Sequence, residues 1–135
     1  MIIGVDFDGT CVTHDYPFVG KDIGAVRVLK ALTDKNHQLI LYTMRSPRWN
    51  ANKLLMETNI IDDAINWFKN NDIPLYGINE NPNQKSWTLS PKPFCHLYID
   101  DAALGIPLTF NKELSQRSYV DWIAVEGLLK NMEIL

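Results

Sequence analysis

The sequence predicts an α/β domain built around a mainly parallel sheet flanked by helices. Short, nearly continuous apolar runs recur at Ile2–Val5, Gln38–Thr43 and His96–Asp100, as expected of strands buried on both faces. Stretches with helical spacing separate them, and strands alternating with helices make a parallel sheet. The runs terminate in Asp6, Thr43 and Asp100, which places polar chemistry at the carboxyl ends of strands, where such sheets bind ligands.

The elements follow in order. The run IIGV leads into Asp6, and residues 9–20, rich in Gly, Thr, His, Asp and Pro, read as an irregular excursion. From Asp22 the apolar positions Ile23, Val26, Leu29 and Leu32 recur every three residues and predict a helix ending near Asn36. QLILYT is the second strand. Ser46-Pro47 then reads as a helix cap followed by proline at the first helical position, with helix continuing, broken near Asn59, to Asn71. A third strand is predicted over Pro74–Ile78. The asparagine- and proline-rich stretch 79–93 reads as an ordered loop of functional length. HLYID is the fourth strand, Ile106–Phe110 a short fifth, and Ser118 caps a last helix carrying Val120, Ile123, Leu128 and Leu129.

At 135 residues the chain is a single domain, 1–135, able to bury about 68 % of its unfolded surface without a metal or disulfide staple. Thirteen basic against 16 acidic residues give a net charge of −3, which argues against an extended nucleic-acid footprint. Cys11 and Cys95 form no CxxC pair, so neither a disulfide framework nor a cysteine zinc site is suggested. The opening apolar run is too short for a signal peptide, and no membrane span is predicted. The expected compartment is cytoplasmic.

The segment Asp6-Phe7-Asp8-Gly9-Thr10 carries the most chemical information. Two carboxylates just past a buried strand both leave the strand end if the chain turns there, as Gly9 permits. One can act as nucleophile and the other as acid and base, and their shared charge invites a hard cation. A turn alone explains Asp and Gly, but D-x-D-G-T arises by chance in such a chain only about once in a thousand. Asp100-Asp101 adds a second acidic pair at the same sheet edge, where four clustered acids repel unless a cation neutralises them. Thr43 offers a hydroxyl to a phosphoryl oxygen, and Lys92, eight residues before Asp100, offers positive charge.

Together these residues resemble the haloacid dehalogenase-like superfamily of phosphohydrolases along the whole chain. VDFDGT resembles the first family motif, LILYT the second, and KPFCHLYIDD the third and fourth. The resemblance implies a Rossmann-like sheet and Mg²⁺-dependent hydrolysis of phosphate monoesters through an aspartyl phosphate. Asp6 is then the nucleophile, Asp8 the acid/base, and Thr43 and Lys92 hold the phosphoryl group. Mg²⁺ falls to Asp6, the Asp8 carbonyl, Asp100 and Asp101. Lys85, 15 residues before Asp100, competes with Lys92 for the lysine role.

Family caps are inserted after the first motif or between the second and third. Here 32 residues separate Thr10 from Thr43, and 48 separate Thr43 from Lys92. That leaves room for a small flap but no large cap. The expected substrate is a phosphorylated small molecule or the phosphate-bearing end of something larger. A nucleotide or nucleic-acid-end phosphatase, and a phosphate-binding regulatory domain without turnover, are the alternatives. Arg45 and Arg48 are candidates to grip substrate phosphate, His14 and Asp15 sit in the flap, and Trp87 is a candidate to stack a nucleobase.

Overall fold

The computed structural model describes residues 1–47 and 60–135. Its main sheet holds β1 (Ile2–Val5), β2 (Gln38–Leu41), β3 (Leu75–Ile78) and β4 (Leu97–Ile99) in the order β3-β2-β1-β4. All the pairings are parallel. Among the described residues three helices flank it: α1 (Ala25–Asp34), α2 (Ile60–Asn70) and α3 (Trp122–Asn131). This is a small α/β, Rossmann-like fold.

The strands are short and apolar because both faces are covered. Ile3, Val5, Leu39, Ile40 and Leu41 are all fully buried. Against Ile3, Val5, Leu39 and Leu41, α1 packs Ala25, Val28, Leu29 and Leu32, α2 packs Ala64 and Phe68, and α3 packs Trp122, Val125 and Leu129. Each helix shows one apolar stripe at three- and four-residue spacing.

Register positions the site. Val5 pairs with Leu41 on one side and Ile99 on the other, so β1, β2 and β4 end level with one another. The residues just past those ends, Asp6, Tyr42-Thr43 and Asp100-Asp101, therefore share one edge. Hydrogen bonds from Asp6 N–H to the Ile99 carbonyl (3.0 Å) and from Tyr42 N–H to the Val5 carbonyl (2.8 Å) extend the ladders to that edge.

Two expectations need correction. The last helix starts at Trp122, not after Ser118, because Asp121 is its cap and accepts from the N–H groups of Ile123 and Ala124. Its buried face is accordingly Trp122, Val125 and Leu129, leaving Ile123 and Leu128 exposed. Secondly, the 106–110 strand does not join the main sheet. Only Leu108–Thr109 (β5) is extended, and it pairs antiparallel with Tyr119–Val120 (β6) in a separate ribbon. The helix foreseen after Ser46-Pro47 runs into residues outside the described ones, as do Arg48 and Trp49.

The 79–93 loop is ordered by its own polar side chains. Gln84, nearly buried, accepts from Phe94 N–H and donates to the Ser90 and Lys92 carbonyls, and Asn81 donates to the Phe94 carbonyl. A single 3₁₀ turn, Gln84–Ser86, lies within it.

Candidate functional site

The DFDGT segment folds back immediately after β1. Gly9 takes φ +81°, and its neighbours close over it: a Cβ there would lie 2.2 Å from His14 Nε2 and 2.8 Å from Asp101 Oδ2. Only glycine fits both the backbone conformation and the space. Gly9→Ala should therefore cost about 1–3 kcal/mol of stability, read from urea melts, and displace the His14–Asp101 contact.

The turn brings the acids together. Asp6, Asp100 and Asp101 each offer an oxygen, and these oxygens all lie within 4.8 Å of one another. Each carboxylate is also fixed by one neighbour. Asp6 Oδ2 accepts from the Thr10 hydroxyl (3.3 Å), Asp100 Oδ1 from Ala102 N–H (2.8 Å), and Asp101 Oδ2 faces His14 Nε2 at 3.0 Å. Thr10 is the bridge of the cluster, since its hydroxyl also accepts from Asp101 N–H at 3.0 Å. The Trp122 indole N–H holds the Thr10 carbonyl at 2.6 Å. Such outer contacts orient metal ligands, and oxygen donors converging in this way suit a hard divalent cation.

Electrostatics favour the same reading. Burial, reinforced by the charges of Asp100, Asp101 and Asp8 and opposed by the Phe7 backbone N–H, pushes the Asp6 pKa up to about 7. Ionising Asp6 near neutral pH therefore calls for a positive charge beside it.

Asp8 points elsewhere. Its two oxygens take Arg45 Nε and Nη2, both at 2.7 Å, in a two-pronged ion pair. Arg45 is 1 % exposed. Its remaining donors go to the carbonyls of Pro17 (3.3 Å), Phe18 (2.6 Å) and Ile60 (3.1 Å), and its guanidinium lies 5.0 Å from the Phe7 ring centroid. With five N–H groups and five partners, nothing is left for a substrate. The expectation that Arg45 binds substrate phosphate is corrected: it is an internal clamp, fastening Asp8 to the flap and to the start of α2.

The other predicted residues divide. Thr43 reaches the acidic edge, and its hydroxyl accepts from Arg45 N–H (3.2 Å) while its own N–H is held by Asn79 Oδ1 (2.8 Å). Among the described residues the hydroxyl hydrogen has no acceptor and stays available as a donor. Lys92 lies over the Tyr98 ring, 5.0 Å from the centroid, and Lys85 pairs with Glu80 at 3.5 Å. Among the described residues neither lysine forms an ion pair with Asp6, Asp8, Asp100 or Asp101. Trp87 is exposed and stacks edge-on against Phe94, and Asp15 is exposed on the flap. Sequence reasoning missed Thr10 as a bridge, Asn79 as a brace and the Asp8–Arg45 pair. Only Thr10 carried a signal, as the last residue of its motif.

No protein-family model and no curated protein matches the chain. Among solved structures, one described as a conserved protein coded by a locus from Bacteroides thetaiotaomicron is similar to it, with 31% identity and a TM-score of 0.71. The match covers 98% of this chain and 91% of that one. The chain belongs to the same family as that conserved Bacteroides protein.

Proposed function

We propose that the chain is a Mg²⁺-dependent phosphomonoesterase of the haloacid dehalogenase-like type, acting through an aspartyl phosphate on Asp6. The observation that carries this is the meeting of Asp6 with the Asp100-Asp101 pair, 94 residues further on, at the adjacent ends of β1 and β4, where the three present oxygens to one point. Those three carboxylates fit the donor chemistry of Mg²⁺ and would hold it with the Asp8 carbonyl. When bound, the ion supplies charge neutralisation for carboxylate and phosphate alike.

Asp6 attacks phosphorus in line and the bond from phosphorus to the ester oxygen breaks; for the departing alkoxide to take a proton from Asp8, that carboxyl must first open one prong of its pair with Arg45 and take up a proton from solvent. Water, deprotonated by Asp8, then cleaves the acyl phosphate and restores Asp6. The bidentate pair with Arg45 presents Asp8 as an acceptor, the form that activates water. The Thr43 hydroxyl and backbone N–H groups of the turn offer donors to the phosphoryl oxygens. Among the described residues no large cap covers the site, which suits esters with sizeable leaving groups.

Phosphate release from a generic aryl phosphate should vanish with chelator and return with Mg²⁺. Full activity in metal-free protein would sink this reading, and Mg²⁺ binding without any phosphate release would leave a binding domain in its place. A second measurement needs no substrate. Because the Asp6 pKa rises from 3.8 to about 7 in the fold, the native state holds its proton more tightly than the unfolded chain does. Without metal, stability should fall as pH climbs from about 4 through 7. Mg²⁺ takes the place of that proton, so the Mg²⁺-induced rise in Tm should be larger at pH 8 than at pH 5. Equal rises would contradict the assignment of Asp6 to the cation.

A further inference from the structure

Beside the acidic centre a cavity of about 490 Å³ opens between the flap and the loop that follows β5. Its floor includes Thr13 and Ser115, which are 2 % and 7 % exposed. His14 lines it too, and the same ring faces Asp101 across 3.0 Å, so one side chain forms the partition between this cavity and the acidic cluster. The cavity is an annex of the site.

Its charge is opposite to that of the centre. Lys21, Lys112 and Arg117 all line it, and among the described residues none of the three enters an ion pair. The acids Asp15 and Glu113 line it as well, yet among the described residues neither lies within 4.0 Å of a cationic nitrogen. Three cations gathered at one opening without carboxylate partners repel one another, and an anion placed among them removes that repulsion. The two acids reduce the field without cancelling it. The loop 111–117 is braced by its own turns, with Leu114 and Ser115 N–H on the Asn111 carbonyl, Glu113 N–H on Asn111 Oδ1 and Arg117 N–H on Ser115 Oγ. The loop therefore presents its charged side chains from a fixed frame.

We infer that this cavity is a subsite for a second phosphate group, carried on the leaving-group portion of the substrate, so that the preferred esters bear phosphate at both ends. The inference rests on the phosphomonoesterase reading and names its substrate class. One phosphate meets the acids through a divalent cation, and the other is met by ammonium and guanidinium groups beyond His14. A neutral or cationic tail gains nothing from that opening.

The test uses a matched pair, butyl phosphate and 1,4-butanediol bisphosphate, on the intact protein with Mg²⁺. Wild-type kcat/KM should be at least about tenfold higher for the bisphosphate, the ratio that about 1.4 kcal/mol of extra contact yields. The preference should shrink as salt is raised. In a Lys112→Ala/Arg117→Ala variant, with folding checked by thermal melting, the ratio should fall towards one. Lys112→Gln/Arg117→Gln, which keeps more of the side-chain packing, should do the same. No preference in the wild type, or a preference that survives both variants, overturns the subsite. If neither ester is hydrolysed, the phosphomonoesterase reading fails and calorimetric binding of the same pair decides the subsite separately. Tighter binding of the bisphosphate that is lost in the variants upholds it, and equal binding of the two esters overturns it.

Discussion

Asp6→Asn is expected to abolish phosphate release and any trapped phosphoenzyme, because an amide is a poor nucleophile. The same substitution should raise the Tm of the metal-free protein at pH 8. It removes a carboxyl whose ionisation is opposed by burial and by Asp100, Asp101 and Asp8. Loss of turnover alongside a gain in stability separates a chemical defect from misfolding. Asp8→Asn should behave differently, costing on the order of 10²–10⁴-fold. Its penalty in the first step should be smaller for aryl than for alkyl esters, since a good leaving group needs little protonation. Steady-state and burst kinetics on both ester types, with melting curves for each variant, check the set. Near-normal turnover in Asp6→Asn would remove the nucleophile.

Arg45→Met is expected to destabilise the fold by about 3–5 kcal/mol, the usual result of stripping one partner from a buried charge pair. The substitution leaves the Asp8 carboxylate, 18 % exposed, facing a hydrocarbon chain, and frees the carbonyls of Pro17, Phe18 and Ile60. That is a large share of a typical domain's total stability. Arg45→Lys should recover only part of it, because an ammonium keeps the charge but cannot make the fork or reach five acceptors. Combining Arg45→Met with Asp8→Asn should cost less than the sum of the two, since the second change removes the stranded charge. Urea denaturation of the three single variants and the double variant measures this. A near-neutral Arg45→Met would mean the clamp contributes nothing to the fold.

The contrast between these two positions shows what a sequence discloses about such a site. Asp6, Asp8, Asp100 and Asp101 were legible because they stand at the ends of apolar runs, and strand ends in a parallel sheet gather at one edge whatever the strand order. The runs themselves were legible for the same reason, being too short and too apolar for anything but buried strands. Arg45 was not. An arginine two residues past a strand end looks like a surface cation, and its burial depends on Pro17, Phe18 and Ile60 arriving from remote parts of the chain. Lys92 failed to reach the acids in the opposite way. Its spacing from Asp100 suits the site, but the Tyr98 ring on the intervening strand takes the ammonium. The end of the chain was misread because Tyr119 and Val120 are apolar enough to extend a helical pattern, whereas Asp121 caps the helix only after them.

The bond from the Trp122 indole to the Thr10 carbonyl also has a consequence in time. Asp6 follows β1, Asp100 and Asp101 follow β4, and the side chain that holds their bridge is at 122. On a ribosome, where the amino-terminal part emerges first, β1 must wait for β4 as its neighbour and for the start of α3 as its lock. The three carboxylates therefore meet only after β4 has paired with β1, and their bridge is held from behind only when α3 begins. Contacts of such long sequence separation fold slowly. The acidic cluster is thereby among the last features of the domain to be completed.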